Sequence, residues 1–149
     1  MEQELQLVAF TIDDQEFAVD ILQVQEIEKI AHITRVPRAP YSLEGVINLR
    51  GEVIPVINLR KRLNITLKEI AESDKIVIVK INELTVGILV DGVSEVVRLD
   101  SSKVESSPSL VENIDVNYVL GVGKLGERLL ILLDLAVILD FEKQKSQIA

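Results

Sequence analysis

GVINLRGEVIPVINL, residues Gly45–Leu59, decides the reading of the fold. Two β-branched runs, Leu43–Leu49 and Val53–Leu59, meet at Arg50-Gly51-Glu52. Branching at Cβ favours the pleated strand over the helix. Gly51 reaches the positive φ of a tight hairpin without steric cost. Pro55 cannot donate to a ladder, which predicts an edge position or a bulge for the second run.

The same block returns as GVGKLGERLLILLDL, Gly121–Leu135, offset by 76 residues with compensating one-residue slips when glycines are matched. A second pair, FAVDILQVQEI (Phe17–Ile27) and VGILVDGVSEV (Val86–Val96), is offset by 69. In it Val24 matches Val93, Glu26 matches Glu95 and Ile27 matches Val96. Two matches in the same order predict two copies of one unit of about 70 residues. Each holds about five short strands and a small helix, best satisfied by closing into a small barrel that limits open edges. The expected fold is therefore all-β: two similar five-stranded barrels packed through a shared core, roughly 13–72 and 73–135, with short helices. A seam between such barrels is a natural groove for a partner's helix.

The remaining segments agree. Gln6–Ile12 and Glu16–Ile21 read as a hairpin around Asp13-Asp14-Gln15, and Lys75–Ile81 and Leu84–Val90 as another around Asn82-Glu83. Val24–Ile33 fits either a helix or a half-exposed strand. Thr66-Leu67-Lys68-Glu69 has capping-box spacing, predicting a short helix to about Ala71. Val93–Leu99, Val119–Gly121 and Leu129–Leu135 are further strands; Asp100–Ser109 is a surface loop or turn. A terminal helix is expected near 136–144.

Composition closes off several function classes. The chain has 149 residues, 20 Val and 18 Ile, no Cys, no Trp and one His. Disulfides, thiolate metal sites and cysteine nucleophiles are excluded. His32 alone cannot form a two-His zinc site. The most apolar window, Leu129–Leu139, is too short to span a membrane and holds Asp134. Net charge is −8, against general nucleic-acid binding. It is unevenly spread: Lys29–Lys68 has eight basic and two acidic residues, a local +6, leaving −14 elsewhere. That segment is either a solvated face, a docking surface for an acidic protein partner, or, least favoured, a small-barrel nucleic-acid platform over residues 29–68.

No motif demands chemistry. Gly121, Gly123 and Gly126 spell G-x-G-x-x-G, but a strand follows rather than a helix, so they read as hairpin glycines. Asp13-Asp14, Glu26-Glu28 and Asp91-Glu95 lack calcium-loop spacing. No catalytic residue, metal site or cofactor is expected. Two features call for a partner instead: Val24-Gln25-Glu26-Ile27 on an expected edge, and Arg50 on a tight turn, whose planar fork suits a carboxylate.

At these residues the chain resembles the CheW family of bacterial chemotaxis adaptors. The resemblance rests on VQEI from Val24, ITRVPRAP (Ile33–Pro40), GVINLRGEVIPVINLR (Gly45–Arg60), VGILVDGVSEV and the closing GERLLILLDL, and covers nearly the whole chain. It implies a single domain of two intertwined SH3-like barrels and a non-enzymatic scaffold that couples methyl-accepting chemoreceptors to the histidine kinase CheA. It implies receptor binding by Val24, Glu26, Ile27 and Arg50, with Val93 and Val96 as their repeat counterparts. For the kinase regulatory domain it points to Ile33, Arg35, Val36 and Leu110. A cytoplasmic location, peripheral at receptor arrays and without membrane insertion or nucleic acid, is the accompanying expectation, as is the lack of any further domain before Leu5.

Overall fold

A computed structural model describes residues 3–30, 32–106 and 116–139. Among them are eleven strands: β1 Glu4–Ile12, β2 Gln15–Asp20, β3 Val24–Lys29, β4 Leu43–Leu49, β5 Glu52–Asn58, β6 Lys75–Ile81, β7 Leu84–Val90, β8 Gly92–Asp100, β9 Val104–Glu105, β10 Val119–Leu125 and β11 Arg128–Leu133. Two one-turn helices, α1 Leu59–Arg62 and α2 Leu135–Ile138, follow β5 and β11. The strands form two sheets, ordered β8-β1-β2-β11-β10-β9 and β3-β6-β7-β5-β4. The protein is thus all-β, built from two similar SH3-like units.

Sheet membership does not follow chain order. β3 leaves β2 to pair with β6 of the other sheet; β8 leaves β7 to pair with β1. The repeat is visible residue by residue. Phe10↔Phe17 in one hairpin is Val79↔Val86 in the other, and the crossing contact Val24↔Val79 is matched by Val93↔Phe10, each at an offset of 69. The later hairpins match at 76: Leu43↔Ile57 recurs as Val119↔Leu133, and the parallel joins Val56↔Gly87 and Leu132↔Ala18 correspond. No one-residue slip occurs. Both turns have two residues, Arg50-Gly51 and Gly126-Glu127, so Gly126 takes the place of Arg50 rather than of Gly51.

Register explains the continuous apolar runs. In β6, Ile76 and Ile78 enter a cluster with Ile47, Ile54, Val56 and Leu89, inside the five-stranded unit. Val77, Val79 and Ile81 face the opposite way, into a core shared with Phe10, Phe17, Val19, Leu59 and Leu135. β1 does the same: Leu7 and Ala9 fill the six-stranded unit, Val8, Phe10 and Ile12 the shared core. A strand buried on both faces has no polar face to alternate with.

Two local expectations are corrected. β5 is not an edge: β4 and β7 flank it. Pro55 is tolerated because pairing with β7 begins only at Val56. The segment from Thr66 to Ala71 is not helical; it is held by side chains, the Asp74 carboxylate accepting from Ala71 N–H (2.8 Å) and from Lys68 Nζ (3.2 Å). The helical turn lies earlier, where the Asn58 side chain accepts from Arg60 N–H and starts α1. Val24–Ile33 resolves as the strand β3, and the terminal helix begins at Leu135, with its expected extent beyond Leu139 outside the described residues. Gly45 and Gly121 occupy matched positions where another segment crosses β4 and β10. A Cβ on Gly45 would collide with the Thr34 carbonyl, and one on Gly121 would lie 2.8 Å from that of Glu105.

Phe10 and Phe17 stack at 6.0 Å in the shared core. Phe17→Ala is expected to cost about 3–5 kcal/mol. Both sheets border that core, so far-UV circular dichroism and tyrosine fluorescence should report one coincident urea transition at a lower midpoint. Two separated transitions would mean that the sheets fold independently.

Candidate interaction site

β3 is one edge of the five-stranded sheet, and β8 is its repeat counterpart on the edge of the six-stranded sheet. Directly opposite residues in an antiparallel pair share a face. Val24 lies opposite Val79 and Ile27 opposite Val77; Val93 lies opposite Phe10 and Val96 opposite Val8. All four partners belong to the shared core. The four side chains therefore lie on the seam faces of their sheets. Val24 and Val93 pack against the core, whereas Ile27 and Val96 remain 42% and 54% exposed. Each of the two sheets thus presents a short apolar rim at the seam, packed on the core at one residue and open to water at the next.

Each rim strand carries a glutamate tied to an arginine near a hairpin tip. Arg50 sits at φ 52° in the β4–β5 turn, which is closed by Gly51 N–H donating to the Asn48 side chain at 3.0 Å. Its guanidinium makes a two-pronged bond to Glu26, one prong at 3.2 Å. The fork expected to await a partner is already filled from within, although the Arg50 side chain is 68% exposed. Hydrogen bonding from Arg50 holds the Glu26 carboxyl below its ordinary range. Glu95, the counterpart of Glu26, accepts from Arg128 at 2.8 Å, and Arg128 also donates two bonds to Glu16 on β2, at 2.7 and 3.0 Å. Beyond these tips Val53 and Leu129, again matched by the repeat, are 67% and 54% exposed.

The basic segment, which includes Arg50, has half of its basic side chains paired internally. Arg60 is buried between Asp13 and Asp91; Lys61 pairs with Glu44, Lys68 with Asp74, Arg50 with Glu26. Arg62 donates to the Ile138 carbonyl and lies over the Tyr118 ring. A bound phosphate would have to displace these partners. Lys29, Arg35 and Arg38 have no ion pair among the described residues. Arg35 and Val36 are exposed, and with Arg38, Pro40, Tyr41 and Lys61 they line a shallow depression. Ile33 turns inward to the core of the five-stranded unit. Leu110 lies outside the described residues.

Sequence reasoning missed Tyr41, which is 67% exposed with Lys61 Nζ 5.0 Å from its ring centroid. It also missed the Arg60 and Arg128 networks, whose partners are 31 to 112 residues away in sequence. For Arg60 the local signal was a basic residue directly after an apolar strand; Arg128, at the start of β11, carried none. His32 is exposed. Among the described residues no group of acids and histidine could hold a metal ion, and no helix is long and apolar enough to cross a membrane.

The carboxyl of Glu16 is lowered from its ordinary 4.5, chiefly by the hydrogen bonds from Arg128. A depressed folded-state value adds stability that is present above 4.5 and lost as pH falls through the lowered value. The stability difference between wild type and Arg128→Met, measured by urea titration, should therefore hold constant near neutrality and shrink on acidification below about 4.5. A difference independent of pH would place the contribution of Arg128 in packing instead.

Comparison with known proteins gives concordant matches. The CheW-like domain profile matches residues 6–143. The chain is 37% identical over 142 residues to the chemotaxis protein CheW of Bacillus subtilis, covering 95% of this chain and 91% of that protein. It is 35% identical over 138 residues to CheW of Klebsiella aerogenes, covering 93% and 83%. The crystal structure of the scaffolding protein TtCheW from Thermoanaerobacter tengcongensis superposes with a TM-score of 0.85 at 34% identity, covering 93% of this chain and 94% of that one.

Proposed function

This chain belongs to the CheW family of non-enzymatic chemotaxis scaffold proteins, and we propose that it joins receptor and kinase through two separate faces. The seam rim of Val24, Ile27, Val93 and Val96, flanked by the Glu26–Arg50 arm, receives the cytoplasmic tip of a methyl-accepting chemoreceptor. Such a tip is a helical hairpin, and an apolar rim with a charged arm at its end suits an amphipathic helix laid lengthwise. Regulation then operates by binding: receptor state biases the kinase through contacts that this protein bridges. The protein would accordingly reside with receptors in arrays on the cytoplasmic side of the membrane.

The observation that carries this reading is the placement of exposed Ile27 and Val96 on matched edge strands, both on seam faces. The kinase regulatory domain is assigned to the Arg35–Val36 surface, with Tyr41 and Lys61 beside it. Ile33 supports that surface from beneath, and Leu110 is retained as a further contact. Adaptor function within one 149-residue domain requires no catalysis and no cofactor. The nucleic-acid alternative finds no support: four of the eight basic side chains of that segment are held in internal ion pairs, and Arg62 is engaged by a carbonyl and a ring.

Ile27→Asp is the sharper probe of the receptor face, because Val24 packs against the core and its replacement would also cost stability. Ile27→Asp should fold, weaken co-sedimentation with a receptor tip fragment by about tenfold, equivalent to ~1.4 kcal/mol, and leave binding of the CheA regulatory domain unchanged. Equal loss of both partners would assign the faces wrongly. Arg50→Glu, which places two acids against each other, should keep the fold and lose receptor or kinase coupling. Unchanged retention of both partners in a pull-down would remove Arg50 from the site.

A further inference from the structure

Arg60 follows β5 on α1, and its guanidinium ends between two carboxylates from distant parts of the chain. One is Asp13, in the β1–β2 turn of the six-stranded sheet, at 2.5 Å; the other is Asp91, in the link from β7 to β8, at 2.6 Å. The second terminal nitrogen donates to the Thr66 carbonyl at 2.6 Å. The side chain is 6% exposed. The two acids are joined in turn: Asp13 N–H donates to the Asp91 carboxylate at 2.7 Å, and Asp91 N–H to the Thr11 carbonyl at 3.0 Å. Lys68 Nζ stands 3.8 Å from Asp91 on its outer side.

This cluster breaks the repeat. At the 76-residue offset the counterpart of Arg60 is Ala136, and at 69 those of Asp13 and Asp91 are Asn82 and Leu22. Nothing in the shared barrel pattern requires it, so it answers to the junction between units. A buried charge is costly unless paired and hydrogen-bonded, and a paired one is more a device for geometry than for stability. Its position is telling. Asp91 immediately precedes β8, two residues before Val93 on the seam rim, while Arg60 belongs to the unit that carries β3 with Val24 and Ile27.

We propose that Arg60, through Asp13 and Asp91, is a positioning residue that fixes the start of β8 against the β3-bearing unit and so sets the spacing of the seam rim. The apolar shared core is non-directional and resists separation of the units better than it resists their sliding. Two directional bonds from one planar, buried group, to Asp13 and Asp91, supply a directional constraint there, while the bond to the Thr66 carbonyl fixes the group from its own side.

The lack of native cysteine makes this directly measurable. Gln25→Cys and Ser94→Cys, both exposed and on β3 and β8, take a pair of spin labels across the seam. Gln25→Cys with Lys80→Cys reports within one sheet. Arg60→Met in the full chain should broaden the distance distribution across the seam and leave the within-sheet one unchanged. An unchanged seam distribution overturns the proposal, as does equal broadening of both, which would indicate general loosening. Should Arg60→Met fail to fold, Asp91→Asn together with Asp13→Asn removes the charges without emptying the site and is read in the same way. The link to function rests on the receptor reading above: folded variants should bind the receptor tip fragment roughly tenfold more weakly, with binding of the kinase regulatory domain retained. If wild-type protein itself fails to bind the tip, the receptor reading fails while the distance result still decides the role of Arg60.

Discussion

Burial of both faces of the central strands is the constraint on which the rest of this structure depends. β1, β2, β6, β7 and β11 each send alternate side chains into a unit of their own and into the core between units. A lone barrel of this sequence would expose the residues that form the shared core. The two units therefore complete one another, and the reciprocal crossing of β3 and β8 stitches them together by hydrogen bonds as well as by apolar contact. Hydrophobic burial at roughly 25 cal/mol per Å² makes such a layer the dominant favourable term.

The same constraint generates the proposed interaction surface. A crossed strand ends at the margin of its new sheet, so its seam-facing residues lie where the shared core meets water. Val24 and Val93 fall inside that margin, Ile27 and Val96 outside it. Apolar groups exposed at the border of a core offer area to a partner at little structural cost. Charge is used differently. The arginines Arg50, Arg60 and Arg128 each engage acids from distant parts of the chain, shaping the molecule before any partner arrives.

How much was legible beforehand depended on range. The hairpins at Asp13-Asp14, Arg50-Gly51 and Asn82-Glu83 could be read because turn chemistry and strand propensity act over a few residues; non-glycine positions there do adopt positive φ. The duplication could be read because two matches stood in the same order. Where local signals competed, they misled. The capping-box pattern at Thr66 lost to the Asp74 carboxylate, which takes the local N–H and ammonium groups. Pro55 marked a strand whose second neighbour joins one residue later rather than an open edge. Matching glycines in the two later hairpins introduced a slip that the ladders do not contain, because either turn position can take the positive φ.

The sequence by itself determined the class of fold, the two-unit plan and the family, since β-branched content, turn residues and the Gly45–Leu59 block are local and repeated properties. It also singled out Val24, Glu26, Ile27 and Arg50. Only the tertiary structure decided which strands exchange sheets, that Arg50 is held by Glu26, and that Arg60 reaches Asp13 and Asp91 across the junction. Periodicity and propensity record each strand's own preference; they carry no information about which of several equally apolar strands will be its neighbour, and that choice is made by the packing of the whole chain at once.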